Sequence, residues 1–159
     1  MLRVGLGTDM HRLVSGRELR LGGVSIASER GALGHSDADV VLHALADALL
    51  GAVGAGDIGE LFPDHDPAFR GLDSAQILRR SLAELRKRDT QLVNADIVIE
   101  LERPKVLPHR NAIRARIAEL LECRLEQVFV KAKTAEGMGP VGEGLAIAAT
   151  AIVLVDQAP

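Results

Sequence analysis

A chain of 159 residues with 19 Lys and Arg against 22 Asp and Glu suits one compact domain. Its net charge of −3 and its lack of Trp and Tyr argue against nucleic acid, a base-stacking surface or an anionic membrane as partner. The 47% apolar content supports a packed core without staples, and Cys123, the only cysteine, fits a reducing compartment and reads as a packed side chain. The opening MLRVGLGTDMHR lacks the apolar core of a signal peptide, and the apolar run over 145–155 is too short to span a bilayer. A cytoplasmic protein is expected.

In chain order, residues 2–8 read as a first strand and 19–27, LRLGGVSIA, as a second with a bulge or turn at Gly22-Gly23. A first helix is expected over 37–53, with Ser36 as N-cap and Asp39 three residues later as in a capping box. Residues 54–72 are rich in Gly, Pro and Asp, and so long an irregular stretch is often functional. A second helix spans 74–88, capped by Asp73, with Ile77, Leu78, Leu82 and Leu85 on its apolar face. Residues 92–101 form a strand with Val93, Ala95, Ile97, Ile99 and Leu101 on one face. A loop, a helix over 109–121, a strand over 127–133, a glycine-rich turn and a strand over 145–155 complete the chain. The last two strands are candidates for an antiparallel hairpin. The pattern predicts an α/β fold, a mixed β-sheet packed against helices.

The chemistry-bearing residues fall into four groups. Asp9 and His11, two apart on a strand, point to one place, and His43 in the middle of the first helix offers a third donor. Asp-His-His suits zinc with one position open for substrate, and Asp39 or Asp47, one turn either side of His43, could accept its other ring N–H. A lone histidine in an apolar helix is more often a core residue, so spacing alone leaves both readings open. His35 and Ser36 stand where a helix N-terminus could bind phosphate, or where Ser36 simply caps. Asp57, Gly59, Phe62, Asp64 and Asp66 place carboxylates near glycines in the long loop, suited to a polyol or to ordinary turns. Pro104, Lys105, Val106 and Leu107, and Ala132, Lys133, Thr134, Ala135 and Glu136, each follow a predicted strand. There Lys105 and Thr134 could contact phosphate and Glu136 could ligate Mg²⁺, or all could be a solvated face.

Together the segments GTDMHR, LGGVSI, GALGHSDADVVLHALADALLGA, GDIGELFPDHDPAFRG, ADIVIELERPKVLPH, VKAKTAEGMG and GEG resemble the 2-C-methyl-D-erythritol 2,4-cyclodiphosphate synthase family over nearly the whole chain. The resemblance implies one domain over 1–159 in a homotrimer with active sites shared between subunits. It implies a zinc-type ion on Asp9, His11 and His43 and Mg²⁺ or Mn²⁺ at Glu136. The implied substrate is 4-diphosphocytidyl-2-C-methyl-D-erythritol 2-phosphate, cyclised with release of CMP by a phosphorus–oxygen lyase. His35 and Thr134 match positions that steady the transition state. Ser36 and the long-loop residues Asp57, Gly59, Phe62, Asp64 and Asp66 match substrate contacts. The segment Pro104 to Leu107, with Ala132 to Glu136, matches the cytidine and diphosphate pocket.

Two departures stand out. Lys133 and Ala135 flank Thr134 where the family commonly has consecutive threonines. The run Gly139-Pro140-Val141-Gly142-Glu143-Gly144 lacks the arginine of many members, so an isoprenoid diphosphate is not expected to bind the trimer axis unless Arg3 or Arg103 substitutes. The alternatives are a metal phosphoesterase that hydrolyses the diphosphate and a non-catalytic nucleotide-binding trimer.

Overall fold

The computed structural model describes residues 1–34, 37–63, 66 and 72–158. Strand β1 (Leu2–Ser15) is twice the length that its apolar run suggests. It is held on one side by an antiparallel ladder to β7 (Ala146–Gln157), from Leu2↔Asp156 to Arg12↔Ala146. Beyond that, Leu13 to Ser15 pair with β4 (Arg30–Ala32), a three-residue strand with no periodic signal. The predicted strand over 19–27 is a hairpin of β2 (Leu19–Leu21) and β3 (Val24–Ile26). Gly22 and Gly23, with φ of +59° and +79°, supply the two left-handed residues that a tight hairpin turn requires.

Helix α1 (Val40–Ala52) begins later than expected. Ala38 lies in the left-handed region, φ +53°, which a helix cannot pass through, and Asp39 is the N-cap in place of the predicted Ser36. Ser36 lies outside the described residues. A short helix α2 (Ile58–Leu61) breaks up the long loop. Helix α3 (Ser74–Arg86) carries the predicted Asp73 cap and buries Ile77, Leu78, Leu82 and Leu85.

Strand β5 (Thr90–Glu100) buries Ala95, Ile97 and Ile99, followed by Leu101, but not Val93. A register shift between Leu92 and Asn94 puts one extra residue there and turns Val93 outward. A 3₁₀ turn (Leu107–His109) then leads into α4 (Arg110–Leu120), β6 (Val128–Lys133), the short helix α5 (Gly139–Gly142) and β7.

The five-stranded sheet has the order β4-β1-β7-β5-β6, and β2-β3 stands apart. The sheet is mixed, as predicted, but the last two strands are not a hairpin. β6 pairs parallel with β5, which lies between it and β7. Parallel pairing needs a long crossover, and α4 with its flanking turns is that crossover. Eleven of the 13 residues of α1 are buried, because the sheet covers one side and α3 another. The opposite face of the sheet carries Leu2, Val4, Leu6, Met10 and Ile152, each between 48% and 65% exposed.

The helix lies almost against the strand backbone. A Cβ on Gly5 would stand 1.8 Å from the Ala48 carbonyl oxygen, and one on Gly7 would stand 2.0 Å from that of Ala44. We therefore expect Gly7→Ala to lift α1 and to cost about 1–3 kcal/mol, the usual range for overpacking. That corresponds to a fall in melting midpoint of roughly 2–10 °C for a chain of this size. Gly51→Ala, on the exposed side of the same helix with nothing within 4 Å, should raise the midpoint slightly, by up to about 1 kcal/mol of helix propensity. Thermal unfolding at one protein concentration checks both.

Candidate functional site

The inward positions of β1 read Gly5, Gly7, Asp9, His11 and Leu13. The glycines receive the body of α1, and Asp9 and His11 therefore face its first turns. His43 enters from that side. Its backbone N–H bonds to the Asp39 carbonyl at 3.1 Å, and its side chain is buried.

Asp9 Oδ2 is 3.0 Å from His11 Nε2 and 3.0 Å from His43 Nδ1, and the two nitrogens are 3.4 Å apart. Donors about 2.0–2.1 Å from a tetrahedral zinc stand roughly 3.3 Å from one another. The triangle has that size, and its oxygen and nitrogen donors are of the kind zinc takes. The side chain of His43 is thus placed where it could help hold a metal ion with Asp9 and His11. Among the described residues this is the group of three able to hold an ion.

Electrostatics follow the geometry. Burial would raise the Asp9 pKa, but hydrogen bonds and charge from His11 and His43 hold it well below the ordinary carboxylate range. His11 is raised, chiefly by its hydrogen bond to Asp9, with burial opposing.

Asp39 and Asp47 do not serve the ring of His43 as the helical spacing suggested. Asp39 is fully buried, and its carboxylate accepts from the backbone N–H groups of Gly22, Gly23, Val41 and Leu42 at 2.6–3.2 Å. Burial raises its pKa, with the N–H groups of Gly23, Gly22 and Leu42 opposing. Asp47 accepts from the Ile58 N–H at 2.8 Å and so anchors α2. Orphan backbone donors claim both carboxylates first. The partner of His43 Nε2 is Ser74 Oγ, at 2.9 Å, and Ser74 in turn bonds Asp37. The sequence showed Ser74 only as the first residue of a capped helix.

The other expected residues fall elsewhere. Asp57 caps α2 through the Glu60 N–H at 2.8 Å, and Gly59 is exposed beside it. Phe62 is buried, with the Arg80 guanidinium 5.8 Å over its ring, which leaves its backbone rather than its ring for contacts. Asp66 is half-buried. His35, Ser36 and Asp64 lie outside the described residues.

The two strand-end loops do come together. The parallel ladder sets Ile99 beside Ala132 and Glu100 beside Lys133. The Leu101 N–H then bonds the Lys133 carbonyl at 3.0 Å, and the Ala135 N–H bonds Glu102 at 3.2 Å. Thr134 Oγ1 donates to Glu136 at 3.1 Å, and Ala132, Lys133 and Glu136 are exposed. Pro104 and Lys105 line an open cleft of about 770 Å³ with Arg30, Arg103 and Glu143 among its other walls. Leu107 is exposed and Val106 is buried. Arg3, one candidate to replace the missing arginine, is tied to the Ala52 carbonyl at 2.5 Å.

Within one chain these loops are remote from the Asp-His-His triangle. The register runs Asp9↔Ala149↔Ile99↔Ala132 across the sheet, three strand spacings or about 14 Å.

A pH dependence of metal uptake follows. The raised His11 value means that its protonated form stabilises the metal-free fold below about pH 6.5, a contribution lost as pH rises through the folded value. The depressed Asp9 value works oppositely, present above about pH 4 and lost as acid titrates it. A metal must displace the His11 proton. Metal affinity should therefore fall by about tenfold per pH unit below the raised His11 value and level off above it, as measured by calorimetry in buffers of different ionisation enthalpy.

Comparison with known proteins places the chain. The model of the YgbB family matches residues 2–156. A protein of Geobacillus kaustophilus named 2-C-methyl-D-erythritol 2,4-cyclodiphosphate synthase is 54% identical over 157 residues, covering 99% of each chain. A solved structure of a 2C-methyl-D-erythritol-2,4-cyclodiphosphate synthase in a CDP-bound form superposes with a TM-score of 0.90 at 44% identity. It covers 97% of this chain and 100% of that one. The bifunctional IspDF from Campylobacter jejuni gives a TM-score of 0.95 at 35% identity, with 99% of this chain spanning 43% of that longer one. With these matches running almost end to end through the Asp-His-His triangle and both strand-end loops, the chain belongs to the YgbB family, the family of relatives named 2-C-methyl-D-erythritol 2,4-cyclodiphosphate synthase.

Proposed function

We infer that the chain converts 4-diphosphocytidyl-2-C-methyl-D-erythritol 2-phosphate to 2-C-methyl-D-erythritol 2,4-cyclodiphosphate and CMP, a step toward isoprenoid precursors in the non-mevalonate pathway. The observation that carries the reading is the Asp9, His11, His43 triangle in a chain matched over nearly its full length by relatives named for that synthase. The reaction is a phosphorus–oxygen lyase step. A 2-phosphate oxygen bonds to the β-phosphorus, the bond from that phosphorus to the oxygen bridging to the α-phosphate breaks, and CMP leaves with the electron pair. No water enters.

Such a step needs placement and charge compensation more than a covalent helper. Asp9, His11 and His43 are suited to a zinc-type ion, and Glu136 with substrate phosphates to Mg²⁺ or Mn²⁺. A bound divalent ion supplies positive charge that aligns phosphate oxygens and offsets their repulsion. Thr134 and His35 are assigned to steadying the transferring phosphoryl group, and Lys105 and Lys133 add fixed positive charge. Ser36, Asp57, Gly59, the Phe62 backbone, Asp64 and Asp66 are assigned to substrate contacts. Pro104, Lys105, Val106 and Leu107, with Ala132, Lys133 and Ala135, are assigned to the cytidine and diphosphate end.

A homotrimer with shared active sites is part of the same reading, with residues 1–159 acting as one domain. The exposed apolar face of the sheet is the kind of surface that another copy covers. The separation of about 14 Å across the sheet is too wide for one chain to hold both ends of a single diphosphate. No helix among the described residues is long and apolar enough to cross a membrane, and we place the enzyme in the cytoplasm.

Incubation with the cytidine-diphospho substrate and Mg²⁺ should give CMP and a cyclic diphosphate by phosphorus NMR. A linear phosphate product would instead indicate a hydrolase. His43→Ala should lose most bound zinc and lower turnover by at least about 100-fold, while circular dichroism stays that of the parent. Asp9→Ala and Glu136→Ala should each be inactive alone and regain part of the activity when mixed and reassembled. Mixtures as inactive as either parent would argue against sites built from two subunits.

A further inference from the structure

His43 offers Nδ1 to Asp9 and His11, while Nε2 on the other side of the ring lies 2.9 Å from Ser74 Oγ. Ser74 is fully buried. Its hydroxyl also bonds Asp37 Oδ1, which accepts the Ser74 backbone N–H at 3.3 Å. The second Asp37 oxygen faces Arg20 Nη1 at 3.7 Å. A row of side chains thus runs from the donor triangle through Ser74 and Asp37 to Arg20 on β2.

We propose that Ser74, oriented by Asp37, is a positioning residue that commits His43 to presenting Nδ1 to the metal. The proposal rests on the metal-dependent reading above. When Nδ1 faces an ion, the neutral imidazole keeps its proton on Nε2. That N–H donates to Ser74 Oγ, and the single hydroxyl proton of Ser74 donates to Asp37, a carboxylate that only accepts. The His43 N–H and the Ser74 hydroxyl then donate in one direction along the row, and Arg20 stands at its far end. The start of α3 does not depend on this hydroxyl, because Asp73 caps the helix through the Ala75 N–H at 2.8 Å. The spacing within α1 gives no hint of the contact, since Ser74 lies 31 residues from His43 in sequence.

The test is titration of metal-free protein with Zn²⁺ against a chromogenic chelator, with the melting midpoint of each metal-free protein measured alongside. Imidazole nitrogen NMR of the zinc-loaded forms reports which His43 nitrogen carries the proton. Ser74→Ala should bind zinc about 10–100-fold more weakly, as expected when the outer partner of a ligating histidine is lost. Its metal-free midpoint should stay near the parent's. Ser74→Thr, which keeps the hydroxyl, should restore most of the affinity, and the parent should show the His43 proton on Nε2. Asp37→Ala, acting from the other end of the row, should also weaken binding. Parent-like affinity in both Ser74→Ala and Asp37→Ala would overturn the assignment and leave the metal reading intact. So would an affinity loss that only tracks a fall in midpoint and is not restored by Thr. A parent protein that takes up no zinc would overturn the metal reading and this inference with it.

Discussion

The close approach of α1 to β1 governs the rest of the molecule. Two residues along a strand advance about 6.6 Å and four along a helix about 6.0 Å, so the two periods nearly match. Gly5 meets the Ala48 carbonyl and Gly7 meets that of Ala44, two strand residues against four helix residues. The next two inward positions of β1 are Asp9 and His11, and the next stretch of helix carries His43. The Asp-His-His triangle is thus the continuation of a packing pattern whose first half is written in glycine. A side chain at either glycine would separate strand and helix and open the triangle with them.

Asp39 fixes the other coordinate. Its buried carboxylate collects two N–H groups from the β2–β3 turn and two from the first turn of α1. The helix therefore cannot slide along β1 or rotate about its axis without breaking bonds that no water could replace. His43 sits one turn beyond this clamp. The same carboxylate that looked like a ring partner from spacing acts on the backbone instead, and it sets where the ring stands.

Much of this was legible in the sequence, for reasons particular to each element. Strand alternation offered Asp9 and His11 as a pair and His43 as a third donor but left the core-histidine reading of His43 open, and only the family resemblance chose between them; α3 followed from its cap and its apolar stripe. The start of α1 was misread because Ser36 is a good cap in isolation, whereas the left-handed Ala38 that displaces it has no compositional mark. The parallel pairing of β5 with β6 was hidden because periodicity reports which way side chains face and not which strand lies alongside. Ser74 was hidden for the same reason, as a contact made by tertiary packing between two helix starts. Val93 shows the limit of alternation itself, since one unpaired residue reverses the faces of everything before it.

The two ends of the chain meet. The N-terminal amine of Met1 bonds Asp156 at 2.9 Å, and the Gln157 N–H bonds the Met1 carbonyl at 3.0 Å. Both lie at the end of the sheet remote from the Asp-His-His triangle, since Asp9 is eight residues from Met1, or about 26 Å along β1. The backbone is thus nearly a closed ring with its seam away from the chemistry. Such a ring can be joined at its seam and opened in an exposed turn without rerouting any strand. It can also be strung onto another domain at that seam, an arrangement compatible with the longer bifunctional chain from Campylobacter jejuni, of which a fold like this one makes up 43%.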